Sequence, residues 1–178
     1  SKLHFMASYL QVENVSKSYG PKVLFNNINM NINEGDKIAL VAPNGTGKTS
    51  LLRILAGVES SDGDGTVKFL KDISISFLAQ DNVYDKTLSI MDVVLPNAKH
   101  CPQHEVEEIL YSLKLTNPQQ KIGELSGGEI KRVAIACMFV SKPDFLVMDE
   151  PTNHLDLETI EYLEEYFTRQ RCTLLMVT

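Results

Sequence analysis

The sequence lacks the features that would place the chain in a membrane or commit it to a disulfide framework. No apolar run approaches the roughly 20 residues needed to span a bilayer, and no signal peptide is visible. The three cysteines are widely spaced and show no metal-type pairing, which is typical of reduced thiols in the cytosol. We therefore expect a cytoplasmic chain with no direct membrane insertion.

Positive charge is also scarce. The chain has 17 Lys and Arg against 23 Asp and Glu, a formal net charge of −6, which argues against a surface that grips nucleic acid unaided. The four histidines show no ligand spacing, and there is no internal repeat. At 178 residues and 43% hydrophobic, the chain fits one globular domain with a sizeable core.

The domain is expected to cover residues 6–178. Met6 has the character of a natural start, and residues 1–5 resemble a remnant of an expression vector.

Apolar periodicity predicts strands at both ends of the chain and helices in the middle. Two alternating runs, 9–15 and 23–32, are separated by a predicted turn at 18–21 and indicate an antiparallel sheet. A helical pattern with two apolar faces covers 89–115. The further predicted elements are strands at 37–41, 66–70, 73–79, 144–148 and 173–177, and helices after residues 49, 125 and 155.

The stretch 42–49, with the sequence Ala-Pro-Asn-Gly-Thr-Gly-Lys-Thr, is predicted to be a phosphate-binding loop between a strand and a helix. Glycines without a Cβ let backbone N–H groups approach phosphate oxygens, and the helix directs its positive end at the same place. Lys48 can then reach the β- and γ-phosphates, and the Thr49 hydroxyl can ligate Mg²⁺. Ala42 stands where the usual motif has glycine. The alternative is a surface turn that caps a helix.

Two carboxylates, Asp149 and Glu150, follow a buried-looking strand. The carboxyl end of a parallel strand is also where a phosphate loop lies, so Asp149 can hold Mg²⁺ through water and Glu150 can polarise an attacking water. The alternative is a pair of solvated acids.

Two further features have both a structural and a functional interpretation. The run Leu125-Ser126-Gly127-Gly128-Glu129 is either a helix amino-cap or a second anion site built from Ser126 and glycine N–H groups. Tyr19 is either a half-exposed turn residue or an aromatic face on which a base stacks.

Taken in order, Tyr19, the loop 42–49, Gln80, the run 125–129, Asp149-Glu150 and Asp156 resemble the nucleotide-binding domain of ATP-binding-cassette (ABC) proteins. The likeness covers nearly the whole chain. Asn153-His154 ahead of Leu155-Asp156 resembles the soluble ABC-F subfamily, and among its members the Uup type. Those proteins carry two cassettes and act on ribosomes. The amino-terminal start suggests the first cassette.

The resemblance implies an α/β P-loop NTPase of ABC type. Its core sheet would be mixed, with an amino-terminal antiparallel β-subdomain and a small helical subdomain at about residues 85–140. It implies ATP and Mg²⁺ as cofactors and an ATPase activity. The implied ATP contacts are Tyr19 on adenine and Pro43, Asn44, Gly45, Thr46, Gly47, Lys48, Thr49 and Ser50 around the phosphates.

The resemblance also assigns the chemistry. Glu150 would be the catalytic base, and Thr49, Gln80 and Asp149 would serve Mg²⁺, with Gln80 also acting on the attacking water. Ser126, Gly127, Gly128 and Glu129 would contact the nucleotide of an opposite cassette, and Asp156 would couple the two sites.

The implied partners are a second cassette and the ribosome. The family's switch histidine and the second cassette are expected beyond Thr178, so the isolated chain is expected to hydrolyse ATP weakly or not at all.

An alternative is the energy subunit of a membrane transporter, bound to a transmembrane subunit. The short stretch from Gln80 to Leu125 favours the ribosomal interpretation, because transporter cassettes have a longer middle region. A third possibility is a nucleotide-gated switch whose hydrolysis is incidental.

Overall fold

The computed structural model of the chain describes residues 7–42, 45–79, 81–149 and 155–178, without the side chains at 45 and 46. The chain divides into two compact units. The first unit takes residues 1–75, 145–149 and 172–178, and the second takes residues 76–144 and 150–171.

Strands dominate the first unit and helices the second. The elements in chain order are β1 (Ser8–Tyr19), β2 (Lys22–Asn33), β3 (Lys37–Leu40), α1 (Gly45–Leu55), β4 (Thr66–Phe69), β5 (Ile75–Leu78), α2 (Ile90–Val94), α3 (Gln103–Ser112), α4 (Gly127–Ser141), β6 (Phe145–Asp149), α5 (Leu157–Arg169) and β7 (Thr173–Val177). Short 3₁₀ turns lie at Leu95–Asn97 and Ile122–Glu124.

The predicted antiparallel sheet is confirmed, with strand order β2-β1-β4. Leu10 pairs with Ile32 on one side and with Phe69 on the other, and Val12 likewise faces Val67 of β4. Leu10 and Val12 are buried while Gln11 between them is exposed, as the period of two in a strand requires. One face of this sheet therefore contributes to the core.

The predicted turn at 18–21 is too long. Ser18 pairs with Val23 and Tyr19 pairs with Lys22, so both residues belong to β1 and the turn is reduced to Gly20 and Pro21. Gly20 has a φ of +56°, a left-handed conformation that glycine adopts without a Cβ clash. Tyr19 is consequently held by strand pairing and is not a turn residue.

A second sheet has the strand order β3-β7-β6-β5, and its strands β3, β6 and β7 belong to the first unit. β7 pairs in parallel with β3 on one side and with β6 on the other. All five residues of β6 are buried, which is why its sequence is a continuous apolar run and not an alternating one. The predicted strands at 144–148 and 173–177 are confirmed, with β6 shifted by one residue.

Aromatic contacts tie β6 to the antiparallel sheet. The fully buried Phe145 ring lies 5.8 Å from the ring of Phe69, edge to face, and 6.4 Å from the ring of Tyr9. Such pairs add to the free energy of burying the rings themselves. The surrounding core is aliphatic and includes Leu51 and Ile54 of α1.

In the second unit, the helical pattern of 89–115 is confirmed but belongs to two helices. α2 ends at Val94 and α3 starts at Gln103, with Pro102 as its amino-cap residue. The residue before a proline is disfavoured in a helix, and proline has no N–H to continue one. Pro102 therefore accounts for the start of α3, whereas α2 already ends at Val94, where a 3₁₀ turn that contains Pro96 follows.

Aromatic packing joins α4 to α5. The buried ring of Phe139 stacks on Tyr166 at 4.0 Å and meets Tyr162 edge to face at 5.4 Å. No described helix is long and apolar enough to cross a membrane.

Replacing Phe145 by alanine should lower the free energy of unfolding by about 3–5 kcal/mol, because a fully buried ring is removed and a cavity remains. Phe77→Ala deletes the same atoms from a side chain that is 44% exposed and should cost less. Urea unfolding followed by circular dichroism measures both variants. Equal losses would contradict the placement of Phe145 at the centre of the core.

Candidate nucleotide-binding site

The register of the parallel sheet places the start of α1 beside the end of β6. Leu40 and Asp149 both pair with Val177, so β3 and β6 end on either side of the same β7 residue. The chain passes from β3 into α1, which begins at Gly45. The helix that carries Lys48 and the predicted carboxylate Asp149 thus follow strands that end at the same edge of the sheet.

Lys48 and Asp149 meet at this edge. The Lys48 Nζ lies 2.7 Å from Asp149 Oδ1, and the two side chains are 10% and 12% exposed. The contact is an ion pair whose geometry is not that of an aligned hydrogen bond, since Asp149 Oδ1 is buried and accepts none. A buried charge needs a counter-charge to offset its loss of hydration, and here the ammonium and the carboxylate are counter-charges for each other.

The residues of this edge fit a bound Mg²⁺. A buried carboxylate oxygen without a hydrogen-bond donor is a hard oxygen ligand, and the exposed Thr49 follows Lys48 on α1. The described residues contain no group of three or more His, Cys, Asp or Glu that could hold a metal by themselves. Mg²⁺ is suited to such a site, because it is usually held by one or two protein oxygens together with substrate phosphates and water.

Tyr19 lies in the same unit as this edge. Its side chain is 54% exposed, and its hydroxyl is 3.4 Å from the Ser50 hydroxyl on α1. The hydroxyl also donates to Glu59 at 2.6 Å. No sequence motif predicted Glu59, which is recognisable in the sequence as a carboxylate four residues after the end of α1.

The run 125–129 forms the amino-terminal cap of α4. Ser126 Oγ accepts from the Glu129 N–H at 3.2 Å, and Glu129 Oε1 accepts from the Ser126 N–H at 3.1 Å. This reciprocal pair is a capping box. The structural interpretation of the run is therefore confirmed, and its role toward a nucleotide stays a prediction.

Asp156 caps α5 in a similar way. Its Oδ1 accepts from the Thr159 N–H at 2.9 Å, and its Oδ2 lies 3.2 Å from Lys114 Nζ. Hydrogen bonds from Thr159, assisted by Lys114, hold the pKa of Asp156 at about 2. Lys114 also pairs with Glu158 at 2.6 Å. Coupling between two nucleotide sites through Asp156 stays a prediction.

The predicted residues Gln80 and Glu150 lie outside the described residues, as do Pro43 and Asn44 of the loop. The residue before Gln80 is described, however. Its carbonyl, that of Ala79, accepts a 2.6 Å hydrogen bond from Lys131 Nζ, a buried ammonium on α4. No sequence motif predicted Lys131, although the apolar residues three, four and seven positions later indicate that it lies on a buried helix face.

The predicted site residues fall into two groups. The first unit holds Tyr19, Lys48, Thr49, Ser50 and Asp149, and the second holds Ser126 to Glu129 and Asp156.

Comparison with known proteins identifies the family. The family model for the ABC transporter matches residues 25–153, which include the loop, the run 125–129 and the strand-end carboxylates. The chain belongs to the ATP-binding domains of the ABC transporter family, and its fold is that of an ABC-type P-loop ATPase. Domains of this family bind ATP, typically with Mg²⁺, and hydrolyse it.

Two curated relatives illustrate the range of proteins that contain such a domain. The ribosome protection protein VmlR of Bacillus subtilis is 35% identical over 96% of this chain and 31% of its own length. The ATP-binding protein Uup of Buchnera aphidicola is 29% identical over 96% of this chain and 30% of its own length. The chain thus spans about a third of these relatives.

A solved structure of an ATP-binding cassette of an ABC transporter, in its ADP conformation, superposes with a TM-score of 0.70 at 25% identity. The match covers 96% of this chain and 80% of that structure. The predicted fold class is confirmed.

Removing one partner of the Lys48–Asp149 pair should destabilise the nucleotide-free chain. We expect Lys48→Met or Asp149→Leu alone to cost about 3–5 kcal/mol, because the remaining buried charge has lost its counter-charge. The double variant should cost less than the sum. Lys37→Met, at an exposed lysine of β3, serves as the control. Urea unfolding measures all four, and additive losses would contradict a coupled pair.

The cap of α5 should give the chain a defined pH dependence. The pKa of Asp156 is about 2 when folded, below its ordinary 3.8, so its ionised form stabilises the fold above about pH 4. This contribution is lost as the pH falls through 2. We expect Asp156→Ala to cost about 0.5–2 kcal/mol at pH 7, with the difference shrinking toward pH 2.

Asp156→Asn should retain most of the stability, since asparagine is an equally good amino-cap residue. Unfolding curves collected from pH 7 downward test this. A difference between wild type and Asp156→Ala that does not change with pH would show that the carboxylate charge has no part in the cap.

Proposed function

We propose that this chain binds ATP with Mg²⁺ and hydrolyses it as one cassette, the first of two, of an ABC-F-type protein that acts on the ribosome in the cytoplasm. The observation that carries the nucleotide role is the buried Lys48–Asp149 pair at the edge of the parallel sheet. A lysine placed to meet phosphate and a carboxylate placed to meet Mg²⁺ are already adjacent there.

When a nucleotide binds, the Lys48 ammonium would leave its ion pair with Asp149 and contact the β- and γ-phosphates instead. Thr49 and Asp149, with Gln80, would hold Mg²⁺, which when bound neutralises charge on the phosphates. Glu150 would accept the proton of the water that attacks the γ-phosphorus, and Gln80 would orient that water. Tyr19 would stack its exposed ring on the adenine.

Two glycines support a close approach of ligand to backbone. Among the described residues, a Cβ at Gly47 would make only ordinary contacts, the nearest being Leu24 O at 3.6 Å, and a Cβ at Gly127 would meet nothing within 4 Å. Neither glycine has a positive φ. Since neither packing against the described residues nor backbone conformation requires glycine at these positions, a close approach of phosphate oxygens would account for it.

The run 125–129 would complete a site on a second cassette. Its Ser126 hydroxyl and the N–H groups at the start of α4 suit an anionic γ-phosphate. Proteins of this family work with a second cassette or dimerise, and Asp156 would couple the two sites across the interface.

The ribosomal partner is supported by the relative VmlR, whose name describes ribosome protection, and by Asn153-His154 ahead of Leu155-Asp156. The likeness to Uup supports the Uup type. A transporter role, with a transmembrane partner, is the second candidate, because the transporter cassette with TM-score 0.70 shares the fold.

One experiment on the full protein that contains this chain separates these roles. We expect Glu150→Gln to lower phosphate release at least about 100-fold while leaving ATP affinity within about twofold, because only the proton acceptor is lost. Lys48→Ala should instead weaken ATP binding by about 1.5–3 kcal/mol.

With ATP present, the Glu150→Gln protein should pellet with ribosomes through a sucrose cushion, and the Lys48→Ala protein should not. Wild-type turnover in Glu150→Gln would refute its role as base. Recovery of the Glu150→Gln protein with membranes and not with ribosomes would favour the transporter role.

A further inference from the structure

The hydroxyl end of Tyr19 is anchored while its ring remains exposed. Tyr19 Oη donates to Glu59 Oε1 at 2.6 Å and lies 3.4 Å from Ser50 Oγ. The Glu59 side chain is 16% exposed, whereas Tyr19 is 54% exposed. The Tyr19 ring is therefore exposed to solvent while its hydroxyl is held in place by hydrogen bonding.

Lys17 joins the same cluster. Its Nζ lies 3.1 Å from Glu59 Oε1 and 5.6 Å from the centroid of the Tyr19 ring, over one face. A cation on one face and a hydrogen bond at the hydroxyl restrict both rotatable torsions of a tyrosine. The face opposite Lys17 is the one left for a stacking partner.

The segment that carries Glu59 is itself fixed to β1. The Ser16 N–H donates to Ser61 Oγ at 3.0 Å, and the Ser18 N–H donates to Asp62 Oδ2 at 2.8 Å. The Asp62 N–H in turn donates to the Ser16 carbonyl at 2.9 Å. Glu59 is thus held at a constant place beside the end of the strand that presents Tyr19.

Both carboxylate oxygens of Glu59 are used. Oε1 receives Tyr19 and Lys17, and Oε2 lies 3.4 Å from Arg53 Nε on α1. Hydrogen bonds from Tyr19 and then Lys17 hold the pKa of Glu59 below its usual value, so the acceptor is ionised at neutral pH. The cluster links β1, the segment after α1 and α1 itself.

We propose that Glu59 is the positioning residue of the nucleobase platform. It fixes the Tyr19 ring before nucleotide arrives, so that stacking does not have to immobilise a free side chain. This inference rests on the proposed function, in which Tyr19 meets the base. In this role Glu59 would act through the Tyr19 hydroxyl and would contact neither the base nor the phosphates itself.

The test compares two probes, Mg²⁺–ATP and Mg²⁺–tripolyphosphate, by titration calorimetry on the 178-residue chain. Tripolyphosphate carries the phosphates without the base, so the ratio of the two affinities isolates the platform. Glu59→Ala should weaken ATP binding about two- to tenfold, the cost of immobilising one side chain, and leave tripolyphosphate binding unchanged. Glu13→Ala, at an exposed glutamate of β1, is the matched charge control.

Further variants identify the route of action. Glu59→Gln keeps an acceptor oxygen for the hydroxyl and should restore most of the ATP affinity. Tyr19→Phe keeps the ring without the hydroxyl and should reproduce the Glu59→Ala loss. The double variant Tyr19→Phe with Glu59→Ala should be no weaker than either single variant, because both remove the same hydrogen bond.

Several outcomes would overturn the proposal. If Glu59→Ala weakens the binding of both probes equally, Glu59 supports either phosphate binding or the stability of the fold. Thermal melts of each variant distinguish these two roles. Additive losses in the double variant, or no loss in Glu59→Ala, would make Glu59 an ordinary surface ion pair. If Tyr19→Ala leaves the ratio unchanged, the base platform of the proposed function is wrong. If Tyr19→Ala changes the ratio of the two affinities and Glu59→Ala does not, the positioning role of Glu59 is wrong while the base platform stands.

Discussion

The buried ion pair between Lys48 and Asp149 is the interaction on which the arrangement of the site depends. The two residues are about a hundred positions apart and meet because β3 and β6 flank β7 in parallel register. Burying either charge without the other would be strongly unfavourable, so the ion pair favours the arrangement in which helix α1 lies beside strand β6. A triphosphate with Mg²⁺ would meet the same two charges, which ties ligand binding to the stability of the sheet edge.

Several predicted site residues also stabilise the helices that they precede or belong to. Ser126 and Glu129 form the capping box of α4, and Asp156 caps α5. Helix amino-termini carry N–H groups without intrahelical acceptors, and the same groups that need a cap can attract phosphate. Substitutions at these positions are therefore expected to lower stability whatever they do to function, so activity measurements on them require unfolding data beside them.

Local patterns predicted most elements, and the failures have physical causes. The alternation in β1 and β2 and the apolar run of β6 were sufficient, because burial on one or both faces imposes those periods. Ser18 and Tyr19 were assigned to a turn because Gly20 and Pro21 follow them, yet cross-strand pairing with β2 extends the strand. The single helical stretch of 89–115 is divided into two helices by the segment 95–102, which contains Pro96 and Pro102.

By itself, the sequence determined the order of elements, the amino-cap of α4 and the motifs that indicate an ABC-type nucleotide site, since these depend on residues close together in the chain. Only the tertiary structure decided which distant groups meet: Asp149 with Lys48, Lys131 with the Ala79 carbonyl, and Glu59 with the Tyr19 hydroxyl. Periodicity reports which face of an element is buried but not what lies against it. That partner depends on the path of the whole chain, through strand register and crossover connections that no local pattern encodes.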